Sequence, residues 1–159
     1  MQSLTLRAAN QSDLEQLNEL MYQLHDEHHR QSPDFFKTAE DIEQEKSIAR
    51  YLDNPECLVF VACDDKKVIG FISGHFCELI STVSKPVQMG SIDELYVMPS
   101  HRKQGVAGML CQRIEQTFEE YGVKEMFVEV WDFNQPANQL YHQLGFVSHI
   151  NWLRKPLGK

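Results

Sequence analysis

Tyr96-Val97-Met98-Pro99-Ser100-His101-Arg102-Lys103-Gln104-Gly105-Val106-Ala107-Gly108 runs through a strand end, a proline, a short basic turn, a glycine and the start of a helix. Pro99 ends the strand because it has no N–H to give to a ladder. The first N–H groups of a helix find no acceptor within it and sit at the positive end of its dipole, so a helix start of this kind attracts an anion. Gly105 and Gly108 let a phosphate approach the backbone closely, and a pyrophosphate fits that chemistry. The segment has neither a G-x-x-x-x-G-K-[ST] run nor the full G-x-G-x-x-G spacing, so it is not a nucleoside triphosphate loop or a dinucleotide fingerprint. Taken alone, glycines at a strand-to-helix turn are as often structural as functional.

Upstream, Met89 to Val97 alternates as a strand, with Ile92, Glu94 and Tyr96 expected on one face and Asp93, Leu95 and Val97 on the other. Leu58 to Cys63 and Val68 to Phe76 flank Asp64-Asp65-Lys66-Lys67 and predict a hairpin, and Ser81 to Pro86 reads as a loop. Leu4, Leu6 and Ala8 suggest a short first strand. Ser12-Asp13-Leu14-Glu15 offers a capping box for a helix carrying Leu14, Leu17, Met21 and Leu24 on one face. One further helix is expected from Thr38 to Leu52, stopped by Asn54-Pro55.

Downstream, Ala107, Leu110, Ile114, Phe118 and Tyr121 recur at helical spacing, and Gly122 is placed as a C-terminal cap. Glu125 to Trp131 predicts a strand, Asn134 to Leu144 a helix ended by Gly145, and Phe146 to Leu153 a last strand. The order β-α-α-β-β-β-α-β-α-β implies an α/β (α+β) fold: a central mixed, mostly antiparallel sheet with helices on both faces.

A chain of 159 residues suits one domain over residues 1–159. With 42% apolar and 24% charged residues, it has the composition of a chain that packs a core. No apolar run approaches the roughly 18 residues of a membrane span, and no signal-peptide pattern opens the chain, so a cytoplasmic protein with no membrane partner is expected. Cys57, Cys63, Cys77 and Cys111 show no C-x-x-C spacing and read as small buried hydrophobes. Of the net charge of -8, residues 1–57 carry -7, from 12 acids and 5 bases. Without a basic stripe or interleaved aromatics, nucleic acid is not an expected partner.

Arg102-Lys103-Gln104-Gly105-Val106-Ala107 matches the Q/R-x-x-G-x-G/A signature, with alanine in the last place, and so resembles the GNAT superfamily of N-acetyltransferases. Ile92 to Val97 before the loop, and Asn134-Gln135-Pro136-Ala137 running into Leu140 to Phe146, look like the same family at the expected distances. Residues 10–57 match only in outline. The resemblance implies acetyl-CoA as cosubstrate, no metal, and direct transfer to a primary amine of a small molecule or of a peptide or protein N-terminus. It implies that Leu95, Tyr96 and Val97 bond the pantetheine arm through strand backbone. Arg102 to Met109 (Lys103, Gln104, Gly105, Val106, Ala107 and Gly108 between them) would hold the pyrophosphate, and Asn134 and Ala137 would flank the thiol. Tyr141 resembles the general acid that protonates the departing thiolate, although it also lies on an apolar helical face with Ala137, Leu140 and Leu144. A homodimer is the assembly the resemblance allows.

An attacking amine must be neutral, so an ammonium acceptor needs a base. Glu94 and Glu129 both qualify, and each is equally readable as an exposed strand residue. His25 and His29 have an i, i+4 spacing, but a metal needs three or four convergent ligands, and a solvated helix end is the simpler reading of this cluster. The acidity of residues 1–57 suits a cationic acceptor. A non-catalytic acyl-CoA-binding sensor or interaction module is the alternative reading of the same blocks.

Overall fold

A computed structural model describes residues 4–158; Met1–Ser3 and Lys159, which the expectation of one domain also takes in, lie outside the described residues. They form two compact units, one up to Glu129 and one from Val130 onward.

The first unit is built on strands β1 (Leu4–Ala8), β2 (Cys57–Asp64), β3 (Lys67–Leu79), β4 (Val87–Val97) and β5 (Glu125–Val128), with helices α1 (Leu14–Gln31), α2 (Ala39–Glu45), α3 (Ala49–Asp53) and α4 (Val106–Glu120). The five strands lie in the order β1-β2-β3-β4-β5. All neighbours are antiparallel except β4 and β5, which run parallel through the α4 crossover. The mixed, mostly antiparallel sheet expected from the sequence is present.

Alternation along β2 divides the core. Val59, Val61 and Cys63 meet Leu17, Leu20 and Met21 of α1, together with Ile48, Phe71 and Tyr96. Phe60, one step out of phase, lies under the Arg113 guanidinium of α4 on the other face. There Leu110, Ile114 and Phe118 are buried. Their close approach depends on two glycines: a Cβ at Gly90 would stand 2.6 Å from the Phe118 ring, and one at Gly74 would stand 2.7 Å from Ile114 Cδ1. Each fully buried side chain of this size contributes about 1.5–3 kcal/mol relative to exposure.

Five expectations need correction. The capping box lies two residues earlier, where Asn10 and Asp13 bond reciprocally around a 3₁₀ turn that leads into α1. Asp13 is drawn there by Arg7, whose Nη1 lies 2.8 Å from its carboxylate and holds that carboxyl below its ordinary range. The single helix from Thr38 to Leu52 is two, because Lys46 is extended (φ -130°, ψ 131°) and reaches to Glu94, while the Ser47 hydroxyl caps Ala49 N–H at 3.1 Å.

In β4, Gly74 pairs with Ile92 and Ser73 with Glu94, so Asp93 is an extra residue in a bulge. Ile92 therefore faces α4, while Glu94 and Tyr96 face α1. The strand at Glu125 stops at Val128 instead of reaching Trp131, since β4 is paired to it only as far as Ile92.

In the second unit, α5 (Gln135–Gln143) is opened by Pro136 and by Asn134, whose side chain accepts from Ala137 N–H at 3.3 Å. The last strand, expected over Phe146 to Leu153, is absent among the described residues. An apolar pattern makes a strand only where a ladder exists to join; here Val147, Ile150, Trp152 and Leu153 stay exposed and no ladder forms.

Candidate active site

After β4, Pro99–His101 form one 3₁₀ turn, and the chain then passes Lys103 (φ 62°) and Gly105 (φ 81°), both left-handed. Lys103 carries a side chain in that region, at a cost of roughly 1–2 kcal/mol, a strain of the kind that collects in ligand-holding loops. The first backbone bond of α4 runs from Met109 N–H to Gly105 C=O at 3.0 Å, so the N–H groups of Val106, Ala107 and Gly108 precede the helical ladder. A Cβ at Gly105 or Gly108 would meet nothing within 4 Å, which leaves space over this helix start.

The loop is anchored from both sides. His101 is buried, with Nε2 at 2.9 Å from Asp64 Oδ2 and Nδ1 at 2.7 Å from Ser100 Oγ. The Arg102 side chain turns toward α1: Nε donates to Val97 C=O at 2.7 Å, Nη2 to Glu27 Oε2 at 3.0 Å, and the guanidinium lies 5.1 Å from the Tyr96 ring centroid. Tyr96 donates its hydroxyl to the same Glu27 at 2.5 Å, and burial followed by that bond pushes its phenol well above the usual range.

At the other end of this stretch the sheet forks. The parallel pairing of β4 with β5 ends at Ile92 and Val128, so on its β5 side β4 has no strand partner from Asp93 to Val97. The free edge leads from the fork to the Arg102–Gly108 loop. On the α4 face, Ile114 and Phe118 lie against Gly74 and Gly90, next to the fork. On the opposite face the bulge sets Asp93 and Glu94 side by side.

Glu94 is buried; Lys46 Nζ pairs with its Oε2, and the Ser73 hydroxyl donates to its Oε1. Asp93 accepts from Tyr51 Oη at 2.7 Å and from Ser91 Oγ at 3.0 Å, and His75 Nδ1 lies 2.6 Å from its Oδ2. Burial, followed by the bond to Asp93, drives the Tyr51 phenol far above its ordinary value, so it acts here as a fixed donor.

The profile described as Acetyltransferase (GNAT) family matches residues 21–146, a span that includes the fork and the helix start. The chain belongs to the GNAT acetyltransferase family. A solved acetyltransferase from Vibrio fischeri is 60% identical, with 80% of this chain and 96% of that one covered and a TM-score of 0.68. An N-alpha-acetyltransferase of Sulfurisphaera tokodaii is 30% identical over 100 residues, and the chain spans 60% of that relative's length. The aminoglycoside acetyltransferase AAC(6')-Iy, solved with a bisubstrate analogue of CoA and an acetylated neamine, shares the fold with a TM-score of 0.72 at 20% identity.

Within this GNAT chain the first unit brings together Glu94, Leu95, Tyr96, Val97 and residues 102–109. Glu129 lies one residue beyond β5 and is exposed. In the second unit Tyr141 is buried and packs edge-on against Phe146 at 5.4 Å, and Asn134 and Ala137 form the cap of α5. Sequence reasoning missed Lys46, Tyr51, Ser73, His75 and Asp93. The available signals were polar Ser73 and His75 inside an apolar strand, and two adjacent acids in a strand that otherwise alternates. Among the described residues no group of three or more His, Cys, Asp or Glu is arranged to hold a metal. Burial raises the thiols of all four cysteines, that of Cys111 to about 12, so none is primed as a nucleophile.

Proposed function

We propose that this chain transfers the acetyl group of acetyl-CoA directly to a primary amine of a small molecule or of a peptide or protein N-terminus. The observation that carries the reading is the free β4 edge, which joins an anion-binding helix start to a polar cluster at the fork. Acetyl-CoA suits that edge: its pyrophosphate matches the N–H groups of the Lys103–Gly108 segment, and its amide-bearing arm can add to Leu95, Tyr96 and Val97 as a strand would. When bound it supplies an activated acyl carbonyl and a thiolate leaving group. Backbone N–H groups along the free β4 edge are suited to hold the carbonyl oxygen as charge develops on it. By the family resemblance, Asn134 and Ala137 are assigned to the thiol end of the cosubstrate and Tyr141 to the proton that the leaving thiolate takes.

The acceptor is cationic on this reading, supported by the -7 charge of residues 1–57. The relative named an N-alpha-acetyltransferase and the neamine analogue in the aminoglycoside enzyme bracket the two acceptor classes. One catalytic domain that includes α5 is supported by a family match spanning the Glu129–Val130 boundary.

The test is CoA thiol release from acetyl-CoA with a polyamine, an aminoglycoside, an amino acid and a free-N-terminus peptide, alongside direct acetyl-CoA binding. Release stimulated by one class is the expected result; binding without release from any class would sink the transferase reading. Tyr141→Phe is expected to lower turnover roughly 10²-fold with acetyl-CoA affinity retained. Unchanged turnover removes Tyr141 from the reaction.

A further inference from the structure

We propose that His75, oriented by Asp93, is the base that takes the proton from the acceptor ammonium. The inference rests on the acetyl-transfer reading above and adds to it the residue that prepares the amine. Of the two glutamates that the sequence offers for this role, Glu94 has both oxygens engaged, one by Lys46 and one by Ser73, in a buried position. Buried and already neutralised by the Lys46 ammonium, this carboxylate is poorly placed to take a proton from an incoming ammonium. Glu129 is exposed and lies beyond the last paired residue of β5.

His75 differs on each count. Its side chain is 37% exposed, while the Asp93 side chain beneath it is only 16% exposed and is bonded by Tyr51, Ser91 and His75 itself. A carboxylate accepts at Nδ1, so that nitrogen carries the hydrogen and the Nε2 lone pair is left for a substrate. The location agrees. His75 pairs across the ladder with Ser91, one residue before the last β4–β5 pair, and Asp93 is the first β4 residue past it. Ile114 and Phe118 make the α4 face beside the fork apolar at Gly74 and Gly90, so the polar face there is the one that carries His75.

The step balances without a co-reactant. The ammonium gives one proton to His75 Nε2, and the freed lone pair forms the C–N bond as the C–S bond breaks. The nitrogen loses its second proton as the thiolate gains one, and the imidazolium then releases its proton to water. Amine cation and thioester thus yield amide, thiol and one proton. The charged and titratable groups around His75 are Asp93 on β4, Tyr51 on α3, Cys57, its cross-strand partner on β2, and Cys77 two residues along β3, which also feels the charge of Asp93; Glu56 precedes Cys57, and the Glu94–Lys46 pair stands beyond Asp93. Asp93 stabilises the imidazolium once it forms.

The experiment compares the whole chain with His75→Asn, whose amide can still donate to Asp93, and with Asp93→Asn, using the amine that the panel identifies. His75→Asn is expected to melt like the wild type, to bind acetyl-CoA as tightly, and to lose roughly 10²-fold in kcat. It should also lose the rising acid limb of the kcat/KM profile, and added imidazole should restore turnover. Asp93→Asn should lose less and displace that limb. Wild-type turnover with an intact limb in His75→Asn overturns the assignment. A wild type that binds no acetyl-CoA, or acetylates none of the amines, overturns the transfer reading and the base with it.

Discussion

The two ends of the β4 edge handle polar ligands by different means. The Arg102–Gly108 loop offers backbone: N–H groups ahead of the α4 ladder, two left-handed residues and open space above two glycines. Of its two basic side chains, Arg102 is turned away toward Glu27. The fork offers side chains drawn from β3, β4, α3 and the α2–α3 break, each held by the next. A backbone site is sensitive to what the chain can bend into, whereas a side-chain cluster is sensitive to the loss of any one member.

That contrast can be broken most directly at Glu94. Glu94→Ala leaves the buried Ser73 hydroxyl without its acceptor and the half-exposed Lys46 without its ion pair, and a loss of about 1–3 kcal/mol is expected in urea unfolding. An unaltered midpoint would mean that the cluster does not hold the fork together. The loop should answer differently. Gly105→Val forces a branched side chain into φ 81° without meeting any neighbour, so the cost is conformational, about 1–2 kcal/mol. If the loop shifts to relieve it, acetyl-CoA binding weakens on the order of tenfold, read by titration calorimetry. Tight binding by this variant would show that the left-handed turn is dispensable.

The smallest effect sharpens the comparison through acid. Burial, then the charge of Lys46, depresses the His25 imidazole from 6.5 to about 4. The unfolded chain therefore binds the extra proton first, so stability falls as pH drops through the window from 6.5 toward 4. The slope from this one group stays below about 1.4 kcal/mol per pH unit, the limit for one proton. His25→Asn should flatten that slope in melting curves taken across the window. A slope that does not change would mean that other groups govern it.

Legibility from sequence follows the same division. The loop was readable because its signals are local: Pro99, Gly105 and the apolar period of α4 lie within one stretch and act on their own neighbours. Tyr96 and the β4 edge followed from that stretch. The fork was not readable, because Lys46, Tyr51 and His75 reach Asp93 and Glu94 only after the α2–α3 break and the bulge have formed, and no spacing along the chain encodes either. The segment from Phe146 to Leu153 shows the converse: an apolar pattern of strand character that finds no ladder to join.

The bulge at Asp93 also works as a parity switch. Side chains along a strand alternate like even and odd numbers, and one unpaired residue adds one to the count, so every β4 position after it lies on the face opposite to the one plain alternation assigns. Removing that single residue would carry Glu94 and Tyr96 to the α4 side and Leu95 to the α1 side while leaving the composition of the strand almost unchanged. The placement of the whole cluster is thus stored in the length of a strand as much as in the identity of its residues.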